Sequence, residues 1–204
     1  FELEIEMKDI YYYFLGMLIL LASQVSAQEF QYLEYKDSKI VSTHGIGFSL
    51  DIPPSFRKLE PIHYTAVFNE LPFNVTVAAI INEGKFIMLS AERLTDNSGV
   101  LDYSYYRPVE LSGYPFFLRE NCHQSLTLED IASHKDVDHL QKNGFDLTKP
   151  TYISSFFMNS EDGNAEYIVH YGKNVSNCSE KTITEMFKKE LSKEIEKHVD
   201  LRKL

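Results

Sequence analysis

Asn74-Val75-Thr76-Val77-Ala78-Ala79-Ile80-Ile81-Asn82-Glu83-Gly84-Lys85-Phe86-Ile87-Met88-Leu89-Ser90 is the stretch on which the reading of this chain turns. Its first half, 75–81, is rich in β-branched residues, which suit a pleated, buried surface. Asn82-Glu83-Gly84 interrupts it, and a second apolar run fills 85–94. A three-residue connection with Gly last predicts a hairpin closed by a bulge, Gly84 taking the positive φ.

Further strands follow on either side. Ile46, Phe48, Leu50 and Ile52 alternate with Gly47, Ser49 and Asp51 until Pro53-Pro54, which has no N–H to give a ladder. Gln28 to Lys39 is polar around Tyr32, Leu33 and Tyr35 and leads into a first strand. Beyond the turn Asp96-Asn97-Ser98-Gly99, Leu101, Tyr103 and Tyr105 alternate, and 112–119 is another extended run. A second hairpin is predicted with Tyr152, Phe156 and Met158 on one arm and Tyr167, Val169 and Tyr171 on the other, turning at Ser160-Glu161-Asp162-Gly163.

Two regions have a helical period instead. Thr127 caps a segment carrying Leu128, Ile131 and Ala132; after a break, Val137 and Leu140 repeat the face, and Asn143-Gly144 ends it. Thr182-Ile183-Thr184-Glu185 is read as a capping box opening an amphipathic helix to about His198, with Ile183, Phe187, Leu191, Ile195 and Val199 as the apolar stripe and Met186 widening it. These elements predict an α+β fold: an antiparallel meander sheet packed on one side by helices, with a C-terminal amphipathic helix.

Gly47-Phe48-Ser49-Leu50-Asp51-Ile52-Pro53, followed by Phe56, resembles the opening strand of photosystem-II PsbP-like and related α/β/α domains, which often read Gly-Phe-Ser-x-x-x-Pro with an aromatic beyond. The usual Trp is lacking, and the resemblance brings no functional residue with it.

Near the start, Met7-Lys8 precedes an uncharged apolar run over 10–22 and then Ser23-Gln24-Val25-Ser26-Ala27. A short basic start, an apolar core and small residues before a cut are the parts of an export signal, so residues 1–27 are read as a leader cut between Ala27 and Gln28, with Met7 as the true start. The run reaches membrane-spanning length, about 20 residues, only by counting polar ones, so no anchor is expected. No Cys follows it for lipid attachment. Residues 28–204 are then a single globular domain, exported to a periplasm or secreted, that touches a membrane only through the transient leader.

Removing the leader takes Lys8 and the acids Glu2, Glu4, Glu6 and Asp9 from a chain of formal charge −10, leaving −7. Such a balance repels phosphate backbones, and no nucleic-acid partner is expected. In an oxidising compartment the only cysteines, Cys122 and Cys178, are read as a disulfide.

No phosphate-cradling loop, Gly-x-Ser-x-Gly elbow or His-Glu-x-x-His helix is present, and no cofactor is implied. Arg119, Glu120 and His123 form a dense polar group, and with His170 supply the acid–base candidates Glu120, His123 and His170. Asp130 and His134 are four apart and, with Asp136, Asp138 and His139, are the metal candidates; a charged, exposed helix pair is the plainer reading. Tyr103, Tyr105, Tyr106 and Tyr114 read as core or sheet surface, with a ligand-stacking platform as the alternative. Asn74-Val75-Thr76, Asn174-Val175-Ser176 and Asn177-Cys178-Ser179 match the N-glycan pattern, which only a eukaryotic route would use. The reading that emerges is an exported, non-catalytic binding or envelope-associated protein for an unknown protein or small-molecule ligand. An envelope hydrolase with a Glu/His pocket is the alternative.

Overall fold

The computed structural model describes residues 30–204; the expected leader and its cut at Ala27 lie outside the described residues. The hairpin predicted around Gly84 is the centre of the fold. Its strands are β6 (Leu71–Asn82) and β7 (Lys85–Leu94), paired from Phe73↔Leu94 to Asn82↔Lys85. The connection is therefore the two residues Glu83-Gly84 and not three. Asn82 stays in the ladder, and its side-chain oxygen accepts from the Glu83 N–H at 2.7 Å. Gly84 has φ +63°.

On the outer edge of β6 lie β4 (Arg57–Lys58) and β5 (Ile62–Phe68). On the other side the sheet continues through β11 (Ala165–Asn174), β10 (Thr151–Asn159), β9 (Tyr114–His123) and β8 (Arg107–Leu111), antiparallel throughout. The order is not the simple meander expected, because β7 pairs with β11 and not with the next strand in sequence. A smaller sheet joins β1 (Leu33–Lys36), β2 (Lys39–Ser42), β3 (Phe48–Asp51) and β12 (Leu201–Lys203) in that order.

Three helices occur among the described residues: α1 (Leu128–Ser133), α2 (Lys135–Lys142) and α3 (Glu185–His198). The fold is therefore mainly β, 46 % strand against 16 % helix, and this overturns the expected α+β class. The difference comes from β1, β2, β4, β5 and β12, which are too short or too polar to carry a long alternation, as in the largely exposed β5.

The helices are also not confined to one side. The central strands are apolar on both faces, as the unbroken run Val77-Ala78-Ala79-Ile80-Ile81 requires, and both need cover. One face, with Ala78, Ile80, Ile87, Leu89, Tyr167, Val169 and Tyr171, packs against Phe48 and Leu50 of the small sheet and Leu191 and Ile195 of α3. The other, with Val75, Val77, Ala79, Phe86 and Met88, packs against Ile131 of α1, Leu140 of α2 and the following Phe145 and Leu147.

Capping follows local chemistry with one shift. Thr127 and Asp130 form a reciprocal capping box on α1. For α3 the cap is Thr184, whose hydroxyl accepts from the Phe187 N–H at 3.1 Å; Thr182 turns instead to Asn177. Met186, expected to widen the stripe, is 70 % exposed. Glu194 on the buried side of α3 accepts from Lys173 at 2.7 Å and Tyr171 at 3.0 Å and pairs with Lys85, fixing the helix across β7 and β11. Cys122 on β9 is bonded to Cys178, so the segment leading into α3 is tied to the sheet.

Candidate functional site

The second face of the large sheet is covered by α1 and α2 only in part. Beside them lies a cleft of about 760 Å³. Its floor is built by rows of residues that face one another across strands. Met88, His170, Ser155 and Arg119 form one row, Ser90, Ile168 and Phe157 the next, and Glu92 with Glu166 the third. Because a strand alternates faces, all of these point to the same side.

One wall is the segment between β7 and β8. No strand forms there, against the alternation read from Leu101, Tyr103 and Tyr105. Instead the segment is held to the β10–β11 turn: the Gly99 N–H donates to Asn164 Oδ1 at 2.8 Å, the Leu101 N–H to the Gly163 carbonyl at 3.2 Å, and Asn159 Nδ2 to the Leu101 carbonyl at 2.7 Å. A Cβ on Gly163 would stand 2.6 Å from the Gly99 oxygen, so only Gly permits this approach. Tyr103 stacks on Phe157 with ring centroids 4.6 Å apart, and Tyr106 on Phe157 at 5.4 Å. The opposite wall carries Asp130 and His134 at the α1–α2 junction with Asp136 and Val137 of α2. At the mouth, Phe68, Val100 and Tyr105 are exposed apolar side chains.

Glu92 and Glu166 are the principal electrostatic feature. They are 7 % and 3 % exposed and stand directly opposite each other on β7 and β11. Burial pushes Glu92 well above the usual carboxylate range, and the neighbouring Glu166 charge pushes it further. Burial also raises Glu166, but hydrogen bonds from Tyr103 and Glu92 hold it back. The pair thus shares a proton, with Glu92 the more strongly raised of the two, because two carboxylates at such a site cannot both ionise. Tyr103 donates its hydroxyl to Glu166 as well.

His170 lies beside Ser155, Nδ1 to Oγ 2.8 Å, and burial pushes it down to about 4, so the ring is neutral. Arg119 donates from Nε at 2.9 Å and Nη2 at 3.0 Å to the Asn121 side-chain oxygen. Among the described residues Arg119 and Asp136 enter no ion pair within 4.0 Å.

Of the acid–base candidates, His123 and His170 line this cleft, but Glu120 is on the opposite face, paired with Arg107 at 3.3 Å. Odd and even positions on β9 diverge, so Glu120 and His123 never meet. The metal candidates do not converge either. Asp130 is engaged as the Thr127 cap, His134 Nδ1 lies 2.7 Å from Ser133 Oγ, and His139 turns to Asn143. No group of three or more His, Cys, Asp or Glu among the described residues is placed to hold a metal ion. Tyr114 is apart from the other tyrosines, edge-on to Phe48 at 4.9 Å. Asn174, within one glycan pattern, spends its amide on the Asp146 carbonyl and Thr151.

Sequence reasoning passed over Glu92, Glu166 and Ser155, and named Asp136 only as a metal candidate. A signal existed for the glutamates: each sits at an inward position of an otherwise apolar strand, where an acid is costly unless it is used or paired. Compared with known proteins, the chain matches no family, no curated sequence and no solved structure.

Proposed function

We propose that this is an exported binding protein that takes a small amphipathic molecule into the cleft over β7, β11, β10 and β9. The observation that carries the reading is the make-up of that cleft: about 760 Å³, aromatic and aliphatic walls, and a few convergent polar groups on a rigid strand floor. Phe68, Val100 and Tyr105 at its mouth add apolar surface that a monomer has little reason to expose. Export is supported by the apolar run over 10–22, the small residues before Gln28 and the Cys122–Cys178 bond, which suits an oxidising compartment.

The test is a thermal-shift and NMR screen of small amphipathic compounds against the purified protein, repeated with Ile168→Trp, which fills the floor, and Val100→Asp, which charges the mouth. Hits lost in both variants support the cleft as the site; hits unchanged in both place the binding elsewhere. N-terminal sequencing of protein recovered outside the cytoplasm should begin at Gln28, and an uncut chain retained in the cytosol would refute export.

A second reading, an envelope hydrolase, rests on the 2.8 Å contact between Ser155 Oγ and the neutral His170 ring. A hydroxyl beside an imidazole is the minimum for an activated nucleophile. Covalent labelling of Ser155 by a fluorophosphonate, abolished in His170→Gln, would favour it over simple binding.

A further inference from the structure

The charge inside the cleft is one-sided. Its lining holds the carboxyl groups of Glu92, Asp102, Asp130, Asp136 and Glu166 against a single permanently charged cation, Arg119. Asp102 and Asp130 are satisfied locally, by Ser104 and by Thr127. Three acids are left to act on the space itself. Asp136, half-buried on α2, is close enough to Glu92, His170 and Tyr64 to raise the proton affinity of all three. Glu92 and Glu166 lie on the floor sharing a proton, and among the described residues Tyr103 is the only other hydrogen-bond donor to their carboxyl groups. The one strong cation of the lining, Arg119, stands two rows away by register, paired with Asn121. Lys135 lies over the Tyr64 ring, with Nζ 5.1 Å from its centroid, so this rim already attracts a cation to an aromatic face.

Given the cleft as a binding site, we propose that its ligand is an organic cation, an amine carried on an apolar body, with the ammonium between Glu166 and Asp136 and the body against Tyr103, Tyr105 and Phe157. A bare metal ion does not suit, since no set of ligands among the described residues converges to hold one. An ammonium does, because it needs only acceptors on two sides, and aromatic rings stabilise its remaining surface. Its arrival makes the proton on Glu92 redundant, and that proton leaves to solvent. Binding of an amine is therefore tighter at higher pH, up to the pH at which the amine itself loses its charge. The groups that face the pair are Tyr103 from the wall segment, Tyr64 from β5 and Asp136 from α2, with His44 hydrogen-bonded to the Glu166 backbone carbonyl at 3.0 Å. Burial keeps Tyr103, Tyr64 and His44 in their uncharged forms.

The experiment uses three probes of one shape, 3-phenylpropylamine, 3-phenylpropanol and 3-phenylpropanoate, titrated into the intact protein by NMR and calorimetry at pH 6 and pH 8. The amine should bind about tenfold or more tighter than the alcohol, with the carboxylate weakest, and its affinity should rise with pH while that of the alcohol stays level. Asp136→Asn and Glu166→Gln should each erase most of the preference for the amine and spare the alcohol. Asp136 is on a partly exposed helix, so its variant keeps the test open if the strand variant fails to fold. Tightest binding by the carboxylate, lost in Arg119→Gln, overturns the proposal while leaving the cleft as a site. Equal binding of amine and alcohol also overturns it. Failure of all three probes removes the cleft reading itself.

Discussion

The ring of Phe86 on β7 occupies the space where a side chain at Gly172 on β11 would begin: a Cβ built there stands 1.9 Å from Phe86 Cε1. The two residues are direct cross-strand partners, and Phe86, only 1 % exposed, packs edge-on against Phe145 at 4.8 Å. The glycine thus lets an aromatic ring lie across the strand and carry the α2 side of the core up to the cleft floor. Gly172→Ala should destabilise the protein by about 2–3 kcal/mol, the cost of overpacking a filled site. A denaturation series checks this. Phe86→Leu combined with Gly172→Ala should lose less than the sum of the two single changes, because the clash is shared.

Glu92 gives a stability change of definite sign. In the unfolded chain it ionises above the ordinary carboxylate pKa, while in the folded protein burial keeps it protonated well beyond that. The folded state therefore loses stability relative to the unfolded one as pH rises through this interval. Glu92→Gln, which keeps a donor for Glu166, should equal the native protein in stability near pH 4 and exceed it near pH 8. Urea midpoints at the two pH values measure it, and a variant less stable at both would contradict the proton assignment.

His170 acts in the opposite direction. Its ring is held down to about 4 from the ordinary 6.5, so below 6.5 the unfolded chain takes up a proton that the folded chain refuses. Stability is lost as pH falls from 6.5 to 4 and then levels off, a penalty on the order of 3 kcal/mol for a shift of this size. His170→Gln should lack this component. The difference between variant and native protein over the window isolates it from the carboxylates, which titrate in both.

Opening the Cys122–Cys178 bond should cost about 4 kcal/mol on the chain-entropy account of a loop this long. The bond spans 56 positions and ties the approach to α3 to β9. Cys122→Ala with Cys178→Ala should lower the denaturation midpoint while preserving the sheet, as far-ultraviolet circular dichroism would show. An unchanged midpoint would mean that α3 is held by its packing and by Glu194 alone.

Much of the local structure was legible in the chain. The β6–β7 hairpin, the β10–β11 hairpin with Gly163 at φ +63°, and the end of α2 at Asn143 with Gly144 at φ +96° follow from short-range chemistry, and the Cys pairing from there being only two cysteines. The short strands were not legible, since β4, β12 and the exposed β5 carry too little alternation to stand out from loop. The wall segment misled in the other direction. Its alternating Tyr103 and Tyr105 look like a strand, yet the backbone just before them, at Gly99 and Leu101, is pinned by the neighbouring turn, and their rings lie against Phe157 and Tyr106.

Local chemistry sufficed for the longer hairpins and helices, and for the parity that sends Glu92, Glu166, Ser155 and His170 each to a definite side of its own strand. That parity is local, because side chains alternate along any extended chain. Long-range pairing was needed to set β7 beside β11, which puts Glu92 opposite Glu166, and to bring His123 and His170 to one cleft. Strand neighbours are chosen by burying two apolar faces at once, a condition spread over the whole chain. No single stretch records it.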